Sequence, residues 1–324
     1  MKAYVVNKWC TPREMEVKEL PDPVPGEGEV LVDIHAIGLN FPDILFIAGK
    51  YQVRPPRPFI PGVEVAGVVS AVGPGVSNKK VGDRVAVLCW LGGYSNKVKA
   101  PVTDVYNIPD SMSYEEAAGI TVTYQSSYFG VVRRAELKEG ETMLVHAGAG
   151  GIGTSAIQIG KAIGAKVIAT VGSEEKIAIA KSCGADEVIN YRENQHWDKT
   201  VRKEMGGADV VIDPVGGDTL LKSLKCMKFE GRLVVVGFTS GTITQIPANL
   251  VLLNNISIVG LHWNLYQKDH PDKIRKCVED ILAWYEKGKI KPIIQKTVPF
   301  SDIPSALEEI GERKTHGKII AKPE

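Results

Sequence analysis

The feature that most constrains this chain is one loop and its flanks. Residues 143–147 form a short apolar run, Gly148-Ala149-Gly150-Gly151-Ile152-Gly153 follows, and residues 154–163 carry a helical pattern. Glycines at the first, third and sixth positions of a strand-to-helix turn serve different ends. Gly148 permits the tight turn, Gly150 lets a ligand approach the backbone, and Gly153 lets helix and strand pack closely. The pattern is weak by itself and depends on a βαβ setting. Here the setting exists. Strand-like runs at 143–147, 166–171, 187–189, 209–213, 233–237 and 256–260 alternate with helical stretches near 152–163, 174–183, 196–205, 217–228 and 247–253. Nearly continuous apolar strands between helices predict a parallel sheet covered on both faces. The predicted class is α/β, with a doubly wound six-stranded parallel (Rossmann) sheet. The N–H groups and dipole of the following helix then favour a dinucleotide pyrophosphate at Gly148, Gly150, Gly151, Ile152 and Gly153.

The end of the second strand bears on which dinucleotide. NAD sites place a carboxylate there to bind the ribose hydroxyls. This chain has Gly172 at that position, followed by Ser173-Glu174-Glu175-Lys176. Without a carboxylate, a 2′-phosphate meets no repulsion; Ser173 can donate to it and Lys176 can balance its charge. NADP(H) is the expected cofactor. Glu174 and Glu175 keep NAD open, because a small register shift would bring a carboxylate to the ribose.

Residues 1–118 have another texture. Short alternating segments at 30–36, 63–72 and 84–88 are separated by Pro25-Gly26, Pro61-Gly62, Gly73-Pro74-Gly75 and Val81-Gly82-Asp83. That pattern predicts a mostly-β domain. After Leu261 come one clear helix, 271–288, a short one at 302–313 and a strand at 318–321. This tail is too small to fold alone and is expected to complete the N-terminal domain. The division expected is therefore 1–118 with 262–324, and 119–261.

The 324 residues carry a formal charge of +1, so no overall field favours nucleic acid or an anionic membrane. No apolar run approaches the ~18 residues that span a bilayer. The opening Met1-Lys2-Ala3-Tyr4-Val5-Val6 reads as a strand rather than a signal peptide, which makes a cytoplasmic location the default expectation. The five cysteines are scattered, without C-x-x-C, and read as reduced packing residues. The six histidines show no ligand or triad spacing. No metal site is expected.

Further motifs run through the chain in order: Gly38-Leu39-Asn40-Phe41-Pro42-Asp43, Gly49-Lys50-Tyr51, Pro58-Phe59-Ile60-Pro61-Gly62-Val63-Glu64, Gly67-Val68-Val69, Gly82-Asp83-Arg84-Val85 and Ala147–Gly153. With them the whole chain resembles the zinc-free quinone oxidoreductase (zeta-crystallin-like) branch of the medium-chain dehydrogenase/reductase superfamily. The resemblance implies a GroES-like catalytic domain, interrupted in sequence by the Rossmann domain, a cleft between the two and a homodimer. In zinc-dependent relatives a Cys ligand falls where this chain has Asn40, and a His ligand where it has Val63. Glu64 is retained and reads as a buried or paired structural carboxylate.

By the same resemblance, Lys176 and Tyr191 match positions that contact the 2′-phosphate. Gly237, Phe238 and Ser240 match a loop near the ribose and nicotinamide, and Leu261, His262 and Trp263 a segment near the carboxamide. Asn40, Asp43 and Thr121 match positions lining the nicotinamide and substrate, and Lys318 a C-terminal basic position. The implied chemistry is metal-free hydride transfer from NADPH to a quinone or another conjugated carbonyl. Tyr51, Asn40 and Asp43 are the catalytic candidates, with Tyr51 stacking on the substrate or donating a proton. A second family tyrosine position is occupied by Leu45, so enone or enoyl-thioester reduction stays open. So does a non-catalytic, NADPH-binding role of the crystallin or RNA-binding kind.

Overall fold

The computed structural model describes residues 1–323, and the chain divides into two compact units: Met1–Val122 with the segment from Pro292 onward, and Thr123–Lys291.

In the first unit a two-stranded ribbon, β1 (Lys2–Val5) with β2 (Glu16–Glu19), accompanies a seven-stranded sheet. That sheet is built from β3 (Glu29–Gly38), β4 (Glu64–Val72), β5 (Arg84–Leu88), β6 (Lys97–Pro101) and β7 (Val105–Asn107), with helix α1 (Phe41–Ile47) between β3 and β4 and helix α2 (Tyr114–Ala117) after β7. Its remaining members return from the chain end. Alternation along β3–β5 turns Val30, Val32, Val65, Val85 and Val87 into one buried cluster.

The second unit contains the expected sheet. It runs α3 (Thr123–Tyr128), β8 (Thr142–Val145), α4 (Gly151–Ile163), β9 (Lys166–Val171), α5 (Glu174–Ser182), β10 (Glu187–Asn190), α6 (Trp197–Lys203) and β11 (Ala208–Asp213). Then come α7 (Asp218–Cys226), β12 (Met227–Val235), α8 (Ala248–Asn254), β13 (Ser257–Gly260), α9 (Asn264–Asp269) and α10 (Pro271–Glu286). The strand order is β10-β9-β8-β11-β12-β13, with every pairing parallel. All four residues of β8 are buried, as a strand flanked by helices on both faces requires. The order reverses between β8 and β11. Ligands of such sheets bind outside the carboxyl ends of the strands at that point.

The expected boundary after Leu261 is displaced. Residues 262–291 belong to the second unit because α10 packs there: Tyr128 Oη donates to Asp280 Oδ2 at 2.6 Å, and the Tyr128 and Trp284 rings lie 6.0 Å apart. Only from Pro292 does the chain rejoin the first unit, as β14 (Ile294–Pro299), α11 (Ile303–Gly311) and β15 (Lys318–Lys322). Strand β15 pairs with both β14 and β3. Among the described residues, no helix is long and apolar enough to cross a membrane.

Candidate active site

The phosphate loop leaves β8 through Ala147, which has the left-handed φ of 51°. The tight turn thus rests on Ala147, while Gly148 provides the close approach: a Cβ there would lie 2.8 Å from that of Ala169. A Cβ on Gly153 would come within 2.1 Å of the Ala147 carbonyl, so α4 can start here only with glycine. Gly150 has nothing nearer than the Ala147 oxygen at 3.3 Å. Its own N–H is already bonded to that oxygen, at 2.8 Å. The first helical bond runs from Thr154 N to Gly150 O. The N–H groups of Gly151, Ile152 and Gly153 precede it, and helix geometry provides them no partner. They point an electropositive helix end outward.

At the next strand end, β9 and β10 pair with Asn190 opposite Val171. That register sets Tyr191 beside Gly172. A Cβ on Gly172 would meet the Tyr191 hydroxyl at 2.5 Å, so phenol fills the space from which an NAD-type carboxylate would extend. Ser173 caps α5 without using its hydroxyl as a cap acceptor. Lys176 is half-buried; burial lowers its pKa, Glu175 opposes, and the nearby Arg192 adds to the lowering. The Tyr191 phenol thus packs on Gly172, and the Lys176 ammonium lies near the Arg192 cation and the Glu175 carboxylate. Arg192 was not singled out by sequence, although its adjacency to Tyr191 was a usable signal.

Gly237, Phe238 and Ser240 lie in the loop after β12, tied to residues 214–217. Thr239 N donates to Pro214 O and Ser240 N to Val215 O, both at 3.0 Å. Asp213, fully buried at the end of β11, organises that second loop by accepting from Val215 N and Gly216 N. Leu261 continues the ladder by donating to Val235 O at 3.1 Å. His262 is exposed, and the half-buried Trp263 keeps its Nε1–H without a partner.

The remaining candidates lie in the first unit. The Asn40–Asp43 spacing is a capping box: Asp43 Oδ2 accepts from Asn40 N at 2.9 Å and from Tyr94 Oη at 2.7 Å. Asp43 is 0% exposed, and burial raises its pKa to about 7. This corrects the catalytic expectation for Asp43: it holds the start of α1 and reaches no surface. Tyr51 is half-buried against Phe46, with ring centroids 4.3 Å apart, and Phe46 meets the exposed Trp90 edge-on at 5.8 Å. Burial raises the Tyr51 pKa, with Asp43 adding to it, so the phenol stays protonated.

Glu64 is the centre of a buried network. Its Oε2 accepts from Lys318 Nζ at 2.7 Å and Asn40 Nδ2 at 3.1 Å; its Oε1 accepts from Thr121 Oγ1 at 3.0 Å and Val122 N at 2.8 Å. Glu64 is 0% and Lys318 5% exposed. The paired-carboxylate reading of Glu64 matches this geometry. Lys318 does not present the free cation that a direct cofactor contact requires, because its ammonium is enclosed by protein acceptors. Val63, beside Glu64, offers only an apolar side chain. Among the described residues, no group of three or more His, Cys, Asp or Glu is placed to hold a metal ion.

Two family descriptions match the chain: "Alcohol dehydrogenase GroES-like domain" over residues 26–110 and "Zinc-binding dehydrogenase" over residues 151–281. It is 39% identical over 315 residues to quinone oxidoreductase-like protein 2 of Bos taurus, covering 95% of this chain and 89% of that one. Identity to the quinone oxidoreductase of Homo sapiens is 33%, over 99% of this chain and 97% of the relative. The solved quinone oxidoreductase of Escherichia coli, complexed with NADPH, superposes with a TM-score of 0.92 at 32% identity, with 100% of both chains covered.

Proposed function

The chain belongs to the zinc-free quinone oxidoreductase branch of the medium-chain dehydrogenase/reductase superfamily, and from that premise we propose that it reduces quinones or other conjugated carbonyls by metal-free hydride transfer from NADPH. The observation that carries the cofactor choice is the corner around Gly172, where the Tyr191 hydroxyl stands in place of a carboxylate and Lys176 and Arg192 supply positive charge. The residues fit NADPH: first-turn donors at Gly151–Gly153 for the pyrophosphate, and the Ser173 hydroxyl with two cations for the 2′-phosphate. When bound, NADPH supplies the hydride. The E. coli relative solved with NADPH supports this reading.

On the acceptor side, the rings of Tyr51 and Trp90, both backed by the buried Phe46, suit a planar conjugated molecule. The protonated Tyr51 phenol is the candidate donor to the reduced oxygen. A second copy of the chain is the proposed partner.

Binding and turnover together test this reading. Lys176→Ala and Gly172→Asp should weaken NADPH binding about tenfold or more, ~1.4 kcal/mol, and leave NADH unchanged or tighter. Equal weakening of both cofactors would overturn the 2′-phosphate assignment. Wild-type protein is then assayed with a naphthoquinone, an acyclic enone and an enoyl thioester, the preferred acceptor expected to be the quinone. Tight NADPH binding with no oxidation by any of them would show a non-catalytic binding protein instead.

A further inference from the structure

Building on the reductase reading, we propose that the acceptor is an anion: a flat conjugated carbonyl whose carboxylate or phosphate group is met by Lys50, Arg54 and Arg57 beside Tyr51.

From Ile44 to Val63 the chain carries Lys50, Arg54 and Arg57 and no Asp or Glu. All three cations are exposed. Among the described residues none of them has a carboxylate partner, and Arg57 stacks instead on Trp9, 4.6 Å from the ring centroid. The surrounding carboxylates are engaged elsewhere. Helix α11 packs on α1, where a Cβ on Gly311 would lie 3.4 Å from Ile44 Cδ1. Its Glu308 and Glu309 pair with Arg13 and Lys296, and Glu312 just beyond it pairs with Lys314. Glu14 is bonded to Thr11, and Asp43 is enclosed.

The backbone brings these charges to the aromatic rings. Gly49 takes a left-handed φ of 65°, and Lys50 N and Tyr51 N both donate to Leu45 O, at 2.8 and 3.2 Å, so the two residues are fixed against the end of α1. A Cβ on Gly49 would lie 2.5 Å from the Trp9 ring, so Trp9, with Arg57 stacked on it, stands against the same corner. Arg54 is three residues from both Tyr51 and Arg57, so its backbone lies within about 11 Å of each. Pro55, Pro56 and Pro58 stiffen this segment, and the buried Pro55 and Phe59 anchor it. Tyr51 and Trp90, backed by Phe46, thus offer flat apolar surface next to a run of cations. A neutral quinone would use only the rings. An exposed ion pair is worth at most about fivefold in affinity. Discrimination by charge therefore needs several cations together, and this segment supplies three.

Matched acceptors on the full chain with NADPH test this, with folding checked by thermal melting. One pair is naphthoquinone and its sulfonate, which places the charge at the ring as a carboxylate would. The other is the crotonyl thioester of N-acetylcysteamine and that of coenzyme A, whose charge lies in distant phosphates. The added groups alter intrinsic reactivity, so variant-to-wild-type ratios of kcat/KM are compared, in which that difference cancels. The double variant Lys50→Gln with Arg54→Gln should lower kcat/KM about tenfold for an anionic acceptor and less than about twofold for its neutral partner. Added salt should narrow the gap between partners in wild type. A loss confined to the sulfonate assigns a charge borne on the ring, and one confined to the coenzyme A thioester assigns a phosphate. Equal losses within both pairs, unchanged ratios in the folded double variant, or a loss that appears in NADPH affinity instead would overturn the proposal. In those cases wild-type turnover of the neutral quinone leaves the reductase reading standing. Wild-type protein that reduces none of the four acceptors would sink that reading, and the anionic acceptor with it.

Discussion

His146 and Asp43 are buried titratable groups whose environments drive stability in opposite directions with pH. His146, 1% exposed, is held between Thr170 Oγ1 at 2.8 Å and Ser223 Oγ at 2.7 Å. Burial lowers its pKa from 6.5 to about 4, against a smaller raising effect from Asp213. The unfolded chain takes up that proton first, so stability falls as pH drops from 6.5 to 4, by on the order of 3 kcal/mol. Asp43 is the reverse. Its folded pKa of about 7 lies above the ordinary 3.8, so its contribution is fully present below 3.8 and is lost as pH rises through 7. That contribution is about 4 kcal/mol. Between pH 4 and 6.5 the two act in opposite directions. Relative to wild type, denaturant midpoints measured across that range should rise toward acid in His146→Gln and fall toward acid in Asp43→Asn. Parallel profiles in all three proteins would refute the assignment. What was legible at this scale followed sequence distance. Gly148, Gly153 and Gly172 could be read from a local pattern, and Glu64 from its surroundings. The partner of Glu64 could not, since Lys318 lies 254 positions away. Asp43 was misread because a capping carboxyl and a catalytic one look alike until burial is known.

Elements with strong periodicity were the easiest to anticipate. Strand β9 spans the expected residues, and α4, α5 and α10 differ from expectation only near their ends. Elements held by tertiary contacts were missed: the helices α1 and α9 have too few residues for a period to show, and β14 lacks an apolar run because Gln295, Lys296 and Pro299 interrupt it. Strand β12 begins well before the expected residue 233, because left-handed Glu230 (φ 59°) breaks the apolar run without ending the strand. Junctions between elements are likewise invisible to periodicity. The end of β3 passes so close to the C-cap of α2 that a Cβ on Gly38 would lie 2.0 Å from the Ala118 carbonyl oxygen. The Ala118 backbone on one side and the buried, multiply bonded Glu64 carboxylate on the other leave little room to yield. Gly38→Ala should cost about 3 kcal/mol in urea denaturation, at the upper end of overpacking penalties. Gly119→Ala, whose Cβ would meet only ordinary contacts from 3.5 Å outward, should stay within about 0.5 kcal/mol. Equal effects at the two positions would contradict the close approach.

At the scale of the whole molecule, strand alternation made the six-stranded sheet legible, but the point where the chain returns to the first unit was not. Helix α10 is amphipathic, and its packing on Tyr128 and on α9 sets it in the second unit. The same sheet leaves one problem unsolved within a single chain. Among the described residues β13 pairs with β12 and no other strand; along its other edge Arg134 Nε donates to Gly260 O at 3.0 Å, and no strand covers it. Just before it, Ile243, Leu252 and Leu253 are 75%, 74% and 70% exposed. Soluble proteins cover or charge such an edge, and a cluster of exposed aliphatic side chains beside it marks an association surface. An identical edge on a second copy can pair with it about a two-fold axis, which closes the assembly at two chains. Light scattering should accordingly give twice the 35.1 kDa chain mass for wild type. Leu252→Glu with Leu253→Glu should return it to a single chain while NADPH affinity is retained. A wild-type monomer, or a double variant that remains dimeric, would rule out this edge as the contact.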